Sequence, residues 1–154
     1  MKELQGTATG VTAAPVGECV RFFLAVDRYP TWHPEVVRKV EVLERGGDGN
    51  PTSARALLHV AVGPLVKDFN LVLAVTLHPD PMAVKLTRVP HGPGDDERFE
   101  VAWYLEEAGE GTRIRLEVAA ALSVPRFVPV GGIGESMASG FVSAATKALA
   151  AQAP

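Results

Sequence analysis

Residues 27–44, DRYPTWHPEVVRKVEVLE, change character halfway along. The first half carries Pro30 and Pro34, and a long helix cannot run through them because proline lacks a backbone N–H and restricts the residue before it. From Val36 onward the apolar residues mostly recur at every second position, which is the period of a half-buried strand. The stretch therefore predicts a compact helical turn, with Trp32 on it, that leads directly into a strand.

The residues before this stretch predict a strand and a short helix. Residues 7–12 alternate weakly between apolar and polar side chains, as a first strand would. Pro15 suits the first position of a helix, and Glu18 in the first turn complements the helix dipole. Apolar side chains then recur at helical spacing, namely Val16, Val20, Phe23 and Leu24. We expect a short amphipathic helix over residues 15–26.

Six strands and a long helix are predicted after the turn. The breaks between strands, such as RGGDGNP (45–51) and EAGEG (107–111), are rich in glycine and proline and are typical turn material. Such short connections favour antiparallel neighbours. The alanine-rich, proline-free residues 131–152 predict the helix. The predicted strands cover residues 36–43, 53–62, 67–77, 82–89, 97–105 and 112–122.

The predicted strands have one apolar and one polar face. In residues 97–105, for example, Phe99, Val101 and Trp103 alternate with Arg98 and Glu100. An antiparallel sheet covered on one side shows this alternation. We therefore expect an α+β fold in a single domain, residues 1–154. A curved seven-stranded antiparallel sheet would wrap around the long C-terminal helix, with two short helices after the first strand.

Composition excludes several classes of partner. The chain has 18 acidic and 15 basic residues, a formal charge of −3 that provides no electrostatic footprint for nucleic acid or an anionic membrane. Cys19 is the only cysteine, so an intrachain disulfide or a thiolate metal cluster cannot form. No run reaches the roughly 18 apolar residues of a membrane span, and the start has no apolar stretch of signal-peptide length. We expect a cytoplasmic protein without integral membrane association.

Two stretches carry a family resemblance: residues 12–49, TAAPVGECVRFFLAVDRYPTWHPEVVRKVEVLERGGDG, and residues 121–150, ALSVPRFVPVGGIGESMASGFVSAATKALA. With them the chain resembles the START and polyketide cyclase/dehydrase superfamily (SRPBCC, helix-grip fold) in the order of its elements. Bacterial coenzyme Q-binding and lipid-transport-like members look most similar, followed by aromatic polyketide cyclases. The resemblance implies a cavity between the sheet and the C-terminal helix. We expect no cofactor.

The sequence supports such a cavity, because many positions on the C-terminal helix are small. Gly134, Gly140 and Ala144 cannot fill the space that a deep sheet encloses, and an apolar cavity takes an apolar ligand. The predicted ligand-binding residues lie on the apolar strand face, on this helix and on the proline-flanked turn. They are Trp32, His33, Leu58, Val60, Phe69, Leu71, Leu73, Leu86, Arg88, Phe99, Val101, Trp103, Met137 and Phe141.

His33 and Arg88 are the candidates for polar chemistry. His33 would offer a hydrogen bond or act as an acid or base at the cavity rim; alternatively it faces water while Trp32 packs the short helices against the sheet. Arg88 has the strand parity of Leu86 and would meet a carboxylate, phenolate or quinone oxygen of the ligand. Alternatively, Arg88 is solvated at a frayed strand end or pairs with a nearby acidic residue.

Other motifs give weaker signals. His59, His78 and His91 lack the spacing of a helical metal site, so no metal is expected. GIGESMASG, residues 132–140, matches neither the nucleophile elbow nor the dinucleotide-binding fingerprint. Its glycines fit close helix–sheet contact, and less simply an anion site at a helix start.

Three functions remain open at this stage. The first is binding or transport of a hydrophobic small molecule such as a lipid, an isoprenoid quinone or a polyketide. The second is a polyketide aromatase/cyclase or dehydratase, in which His33 is the acid or base and Arg88 holds an enolate oxygen. The third is an interaction or stress-related module without a ligand. A homodimer is compatible with each of them.

Overall fold

The computed structural model describes residues 1–63, 65–124 and 129–152. Seven strands and three helices occur in these ranges. In chain order they are β1 (Lys2–Thr12), α1 (Val16–Leu24), a 3₁₀ turn (Val26–Arg28), α2 (Tyr29–Trp32), β2 (Val37–Arg45), β3 (Pro51–Val62), β4 (Leu65–Pro79), β5 (Met82–Arg88), β6 (Arg98–Ala108), β7 (Gly111–Leu122) and α3 (Ile133–Gln152).

The strands form one antiparallel sheet in the order β1-β7-β6-β5-β4-β3-β2. Strands β2 to β7 are a meander, as the short turns predict. Strand β1 departs from it, because the chain crosses through α1 and α2 before β2 begins at the far edge. The predicted α+β fold, a seven-stranded antiparallel sheet with a long C-terminal helix, is confirmed.

Strand β1 is longer than the sequence pattern suggests. It begins at Lys2, opposite Leu122, and not at residue 7. Its first half, KELQG, contains one large apolar side chain, Leu4, which is buried. The alternation in this half is therefore too weak to identify a strand. Pairing with the apolar strand β7 sets the start of β1, and this is a tertiary effect that propensity does not record.

The turn at residues 29–37 is as compact as its prolines require. Pro30 lies in the single turn of α2, where the missing N–H costs nothing. The backbone N–H of His33 donates to the Tyr29 carbonyl at 2.8 Å, and the N–H of Val37 donates to the His33 carbonyl at 2.9 Å. Tyr29 Oη donates to the Phe23 carbonyl at 2.7 Å, which holds α2 against α1.

Helix α3 packs mainly against β1 and then β7, at one side of the sheet. Gly134 makes this approach possible, because a Cβ at this position would overlap the backbone of Gln5. A Cβ at Gly6 would likewise overlap the backbone of Gly134. The two segments thus touch backbone to backbone, and the close-contact explanation of the α3 glycines holds at Gly134. Helix α1 covers the neighbouring part of the apolar face, over β5, β6 and β7.

An aromatic cluster joins these layers. Trp103 and Phe23 are fully buried, and their rings stack with centroids 4.0 Å apart. Trp32 lies edge-on to both, at 6.4 Å from each. Trp32 therefore packs the short helices against the sheet.

Candidate ligand-binding site

Between the sheet and the helices, the described residues enclose a small void. Its volume is about 30 Å³, room for one or two water molecules. The surface that the described residues present to it is apolar. The lining residues are Val26, Tyr29, Val37, Val40, Ala54, Ala56, Leu58, Leu73, Val75, Leu86, Phe99, Val101 and Phe141.

Some of the predicted ligand-binding residues line this void, and others are buried without lining it. Those that line it are Leu58, Leu73, Leu86, Phe99, Val101 and Phe141. Five more are buried in the core without lining it: Val60, Phe69, Leu71, Trp103 and Met137. The parity rule places the strand residues on the inner side, but parity does not say which side chains meet one another and which face open space.

A larger space lies outside the core, in a groove between the α1–α2 segment and α3. Its volume is about 1200 Å³. The groove is lined by Glu18, Arg21, Phe22, Ala25, Arg28, Thr31, Trp32, His33, Pro34, Glu35, Gly140, Ser143, Ala144, Lys147, Ala148, Ala151 and Gln152.

The sequence pattern indicated Trp32 and His33, which line this groove, but it did not reveal the groove itself. The available signal was on α3, where Gly140, Ala144 and Ala148 recur every fourth residue and so share one face of the helix. These small residues leave open space against the α1–α2 segment, and not under the sheet where the prediction placed it.

Aromatic rings that line the two spaces contact one another. Trp32 and His33 line the groove, whereas Phe141 lines the void. The His33 and Phe141 rings meet edge to face with centroids 4.5 Å apart, and Trp32 lies edge-on to Phe141 at 6.4 Å.

His33 is buried, with 8% of its surface exposed. The alternative that it faces water is therefore wrong, since the ring packs edge to face against Phe141 of α3. Burial lowers the pKa of the imidazole, and the carboxylate of Glu35 opposes this effect. Its Nε2 atom is buried and has no hydrogen-bond partner among the described residues.

Arg88 forms an ion pair with Asp95. Its side chain is 3% exposed, and its two terminal nitrogens donate to the carboxylate oxygens of Asp95 at 3.0 and 2.7 Å. A third bond goes to the Glu97 carbonyl at 2.8 Å. The alternative of an acidic partner is the one that the structure shows, and the frayed, solvated strand end is wrong. Both terminal nitrogens of Arg88 are therefore engaged within the protein, and among the described residues only its Nε atom lacks a partner.

Replacing Asp95 with asparagine tests the role of this pair through pH. The hydrogen bond from Arg88, followed by that from the backbone N–H of His91, holds the pKa of Asp95 well below its ordinary value of about 3.9. A carboxyl group with a depressed pKa in the folded state stabilises the protein above its unfolded-state pKa, and this stabilisation is lost as the pH falls through and below that value. We expect Asp95→Asn to lower stability at pH 7 and to flatten the acid limb of a urea-denaturation profile.

The matched control is Asp96→Asn, which removes an exposed carboxylate from the same loop. It should leave both the midpoint and the pH profile close to those of the unaltered protein. If the two variants have parallel profiles, the Arg88–Asp95 pair does not stabilise the loop.

The remaining candidates have ordinary structural surroundings. The half-exposed His59 contacts Asp68 on the outer sheet face, 2.6 Å from Nδ1 to the carboxylate. Cys19 is fully buried, and burial raises its thiol pKa. Across residues 1–63, 65–124 and 129–152, no group of three or more His, Cys, Asp or Glu side chains could hold a metal ion. In the same ranges no helix has the length and apolarity needed to cross a bilayer.

Comparison with solved structures shows the helix-grip fold. A START superfamily protein from Mycobacterium smegmatis is 18% identical, with a TM-score of 0.70 over 96% of this chain and 95% of that one. A protein from Thermus thermophilus is also 18% identical, with a TM-score of 0.73 over 97% and 99%. The ZhuI aromatase/cyclase from a Streptomyces species is 18% identical, with a TM-score of 0.59 over 98% and 93%.

The family follows from the sequence profile. The polyketide cyclase / dehydrase and lipid transport family matches residues 13–149, nearly the whole chain. The chain belongs to this family, as the resemblance implied. A search of curated proteins found no match.

Proposed function

We propose that the protein binds or carries a hydrophobic small molecule, such as a lipid, an isoprenoid quinone or a polyketide. The observation that carries this proposal is the pairing of an apolar interior with an open groove, whose lining residues Trp32 and His33 contact Phe141 of the interior void. Family membership supports it, because the family description includes lipid transport. A cytoplasmic location and a homodimer stay predictions.

Several residues that line the groove are apolar and favour an apolar ligand. Phe22 and Trp32 stack with ring centroids 5.1 Å apart and supply flat apolar surface. Ala144 and Ala148 supply the facing wall from α3. Burial of apolar surface provides roughly 25 cal/mol per Å², so contact with these walls favours a hydrophobic molecule over water.

A second candidate function is catalysis by His33 on such a guest. The unpaired Nε2 atom favours this candidate, because an imidazole nitrogen without a partner in the protein is free to exchange a proton with a substrate. The similarity to the ZhuI aromatase/cyclase is compatible with it. Arg88 takes no part in this version, since Asp95 binds its guanidinium. His33→Gln should then stop turnover while binding persists.

Native mass spectrometry on protein purified from two unrelated hosts tests the binding proposal. We expect a retained hydrophobic adduct, and a thermal shift with some member of a panel of lipids, quinones and aromatic polyketides. A ligand present at one hundred times its Kd stabilises the folded state by about 2.7 kcal/mol, which a thermal scan detects readily. Absence of any adduct together with no shift across the panel would count against binding, and would favour an interaction module.

A further inference from the structure

We infer that the ligand lies in the groove between the α1–α2 segment and α3, and that the groove selects apolar molecules carrying a hydroxyl or similar hydrogen-bonding oxygen over plain hydrocarbons. This inference rests on the proposed binding function. It adds the position of the ligand and the chemical feature by which it is recognised.

Available space favours the groove. The interior void of about 30 Å³ would have to expand many-fold to accept a ring system, whereas the groove already offers about 1200 Å³. Protein interiors are close-packed, so such an expansion displaces many side chains at once. A ligand in the groove requires no such rearrangement.

Unsatisfied polar atoms point to the same place. Within the described residues, the buried side-chain nitrogens that lack a partner are Trp32 Nε1, His33 Nε2, Arg88 Nε and Trp103 Nε1. Of these four residues, Trp32 and His33 line the groove and the other two do not. A buried polar atom without a partner is energetically costly, so a ligand that supplies partners here gains affinity.

The His33 edge lies against α3 at residue 140, which is glycine. A methyl group at Gly140 would lie 3.9 Å from both Cε1 and Nε2 of His33. Alanine would therefore touch the ring in ordinary contact, and a larger side chain would cover the nitrogen. Gly140 also lines the groove, so this edge lies at the groove wall.

A hydroxyl group fits these two nitrogens better than other small groups. Trp Nε1 only donates, whereas a neutral imidazole Nε2 donates or accepts according to its tautomer. A hydroxyl oxygen accepts from the indole N–H, and a hydroxyl group bonds to the imidazole in either tautomer. A hydrocarbon of the same shape would leave both nitrogens unpaired.

The test compares 1-naphthol with 1-methylnaphthalene, which have similar shape and differ by a hydroxyl in place of a methyl group. Isothermal titration calorimetry should show that naphthol binds about 3- to 10-fold more tightly, the value of one hydrogen bond to an otherwise unpaired group. In the double variant Trp32→Phe, His33→Phe, the two compounds should bind with equal affinity, because neither nitrogen remains to pair with the hydroxyl group.

A second pair of variants tests the position. Gly140→Leu should abolish binding of both compounds, because the leucine side chain occupies the groove beside His33. Ala150→Leu on the exposed face of α3 adds the same side chain outside the groove lining, and should bind like the unaltered protein. Two-dimensional NMR spectra show whether each variant keeps the fold.

The outcomes separate the inference from the binding proposal. Equal affinity for the two compounds, or a naphthol preference that persists in the double variant, overturns the recognition by Trp32 and His33. Unchanged binding to a folded Gly140→Leu variant overturns the groove as the site. In either case hydrophobic binding itself would stand. If neither compound binds the unaltered protein, and no member of the lipid and quinone panel shifts its thermal unfolding, the inference and the proposed function fail together.

Discussion

Gly134→Ala is expected to lower the free energy of unfolding by about 3 kcal/mol, the upper range for overpacking a well-packed site. The added Cβ would fall on the backbone of Gln5 in β1. Backbone atoms in a paired strand cannot rotate away as a side chain does, so the start of α3 must lift off the sheet. The loss would appear as a lower urea midpoint.

The direction of this effect is informative, because helix propensity predicts the opposite. Alanine inside a helix is favoured over glycine by roughly 1 kcal/mol. Gly131→Ala is the control for loss of a nearby glycine, since Gly131 lies in the turn before α3 and a Cβ at that position meets nothing within 4 Å. It should change stability by no more than about 0.5 kcal/mol. If Gly134→Ala proves as stable as Gly131→Ala, the backbone contact between α3 and β1 is not as close as the structure has it.

Phe141→Ala should have two effects, a loss of stability and a gain in ligand capacity. Truncating a buried phenylalanine costs about 3–5 kcal/mol. Phe141 is 4% exposed, lines the interior void and contacts Trp32 and His33 of the groove lining. We expect its truncation to open the void toward the groove, so apolar molecules bulkier than naphthalene should bind more tightly than to the unaltered protein.

Phe69→Ala is the control for this variant. Phe69 is also buried, at 8% exposed, but it lines neither the void nor the groove. It should lose comparable stability in urea denaturation with no gain in binding by calorimetry. A Phe141→Ala variant that remains folded and binds no better than Phe69→Ala would show that the Phe141 ring does not limit access.

Much of the architecture could be predicted from local patterns. The period-two alternation of β3 to β7 identifies strands with one apolar face, and the short glycine- and proline-rich breaks make them an antiparallel meander. Pro30 and Pro34 restrict the backbone at α2 whatever surrounds it. The first half of β1 could not be predicted from the sequence pattern, because it is a strand only through its pairing with β7.

The candidate site was predictable only in part. Strand parity correctly placed Leu86 and Arg88 toward the inner side, and both are buried. It could not indicate that Asp95, seven residues further along a loop, would bind the guanidinium of Arg88. Nor could it indicate that His33 turns inward, since solvent exposure at a turn depends on what packs above it.

The sequence by itself determined the order of the elements, the apolar face of the sheet and the compact turn at α2, because these depend on side-chain periodicity and on the covalent restrictions of proline and glycine. Only the tertiary structure decided where open space lies. Helix α3 rests on β1 through Gly134, the described inner side chains enclose a small void, and the small residues of α3 face a groove against α1 and α2. The physical reason is that a cavity is the volume left after all side chains have packed, and no local stretch of sequence contains that sum.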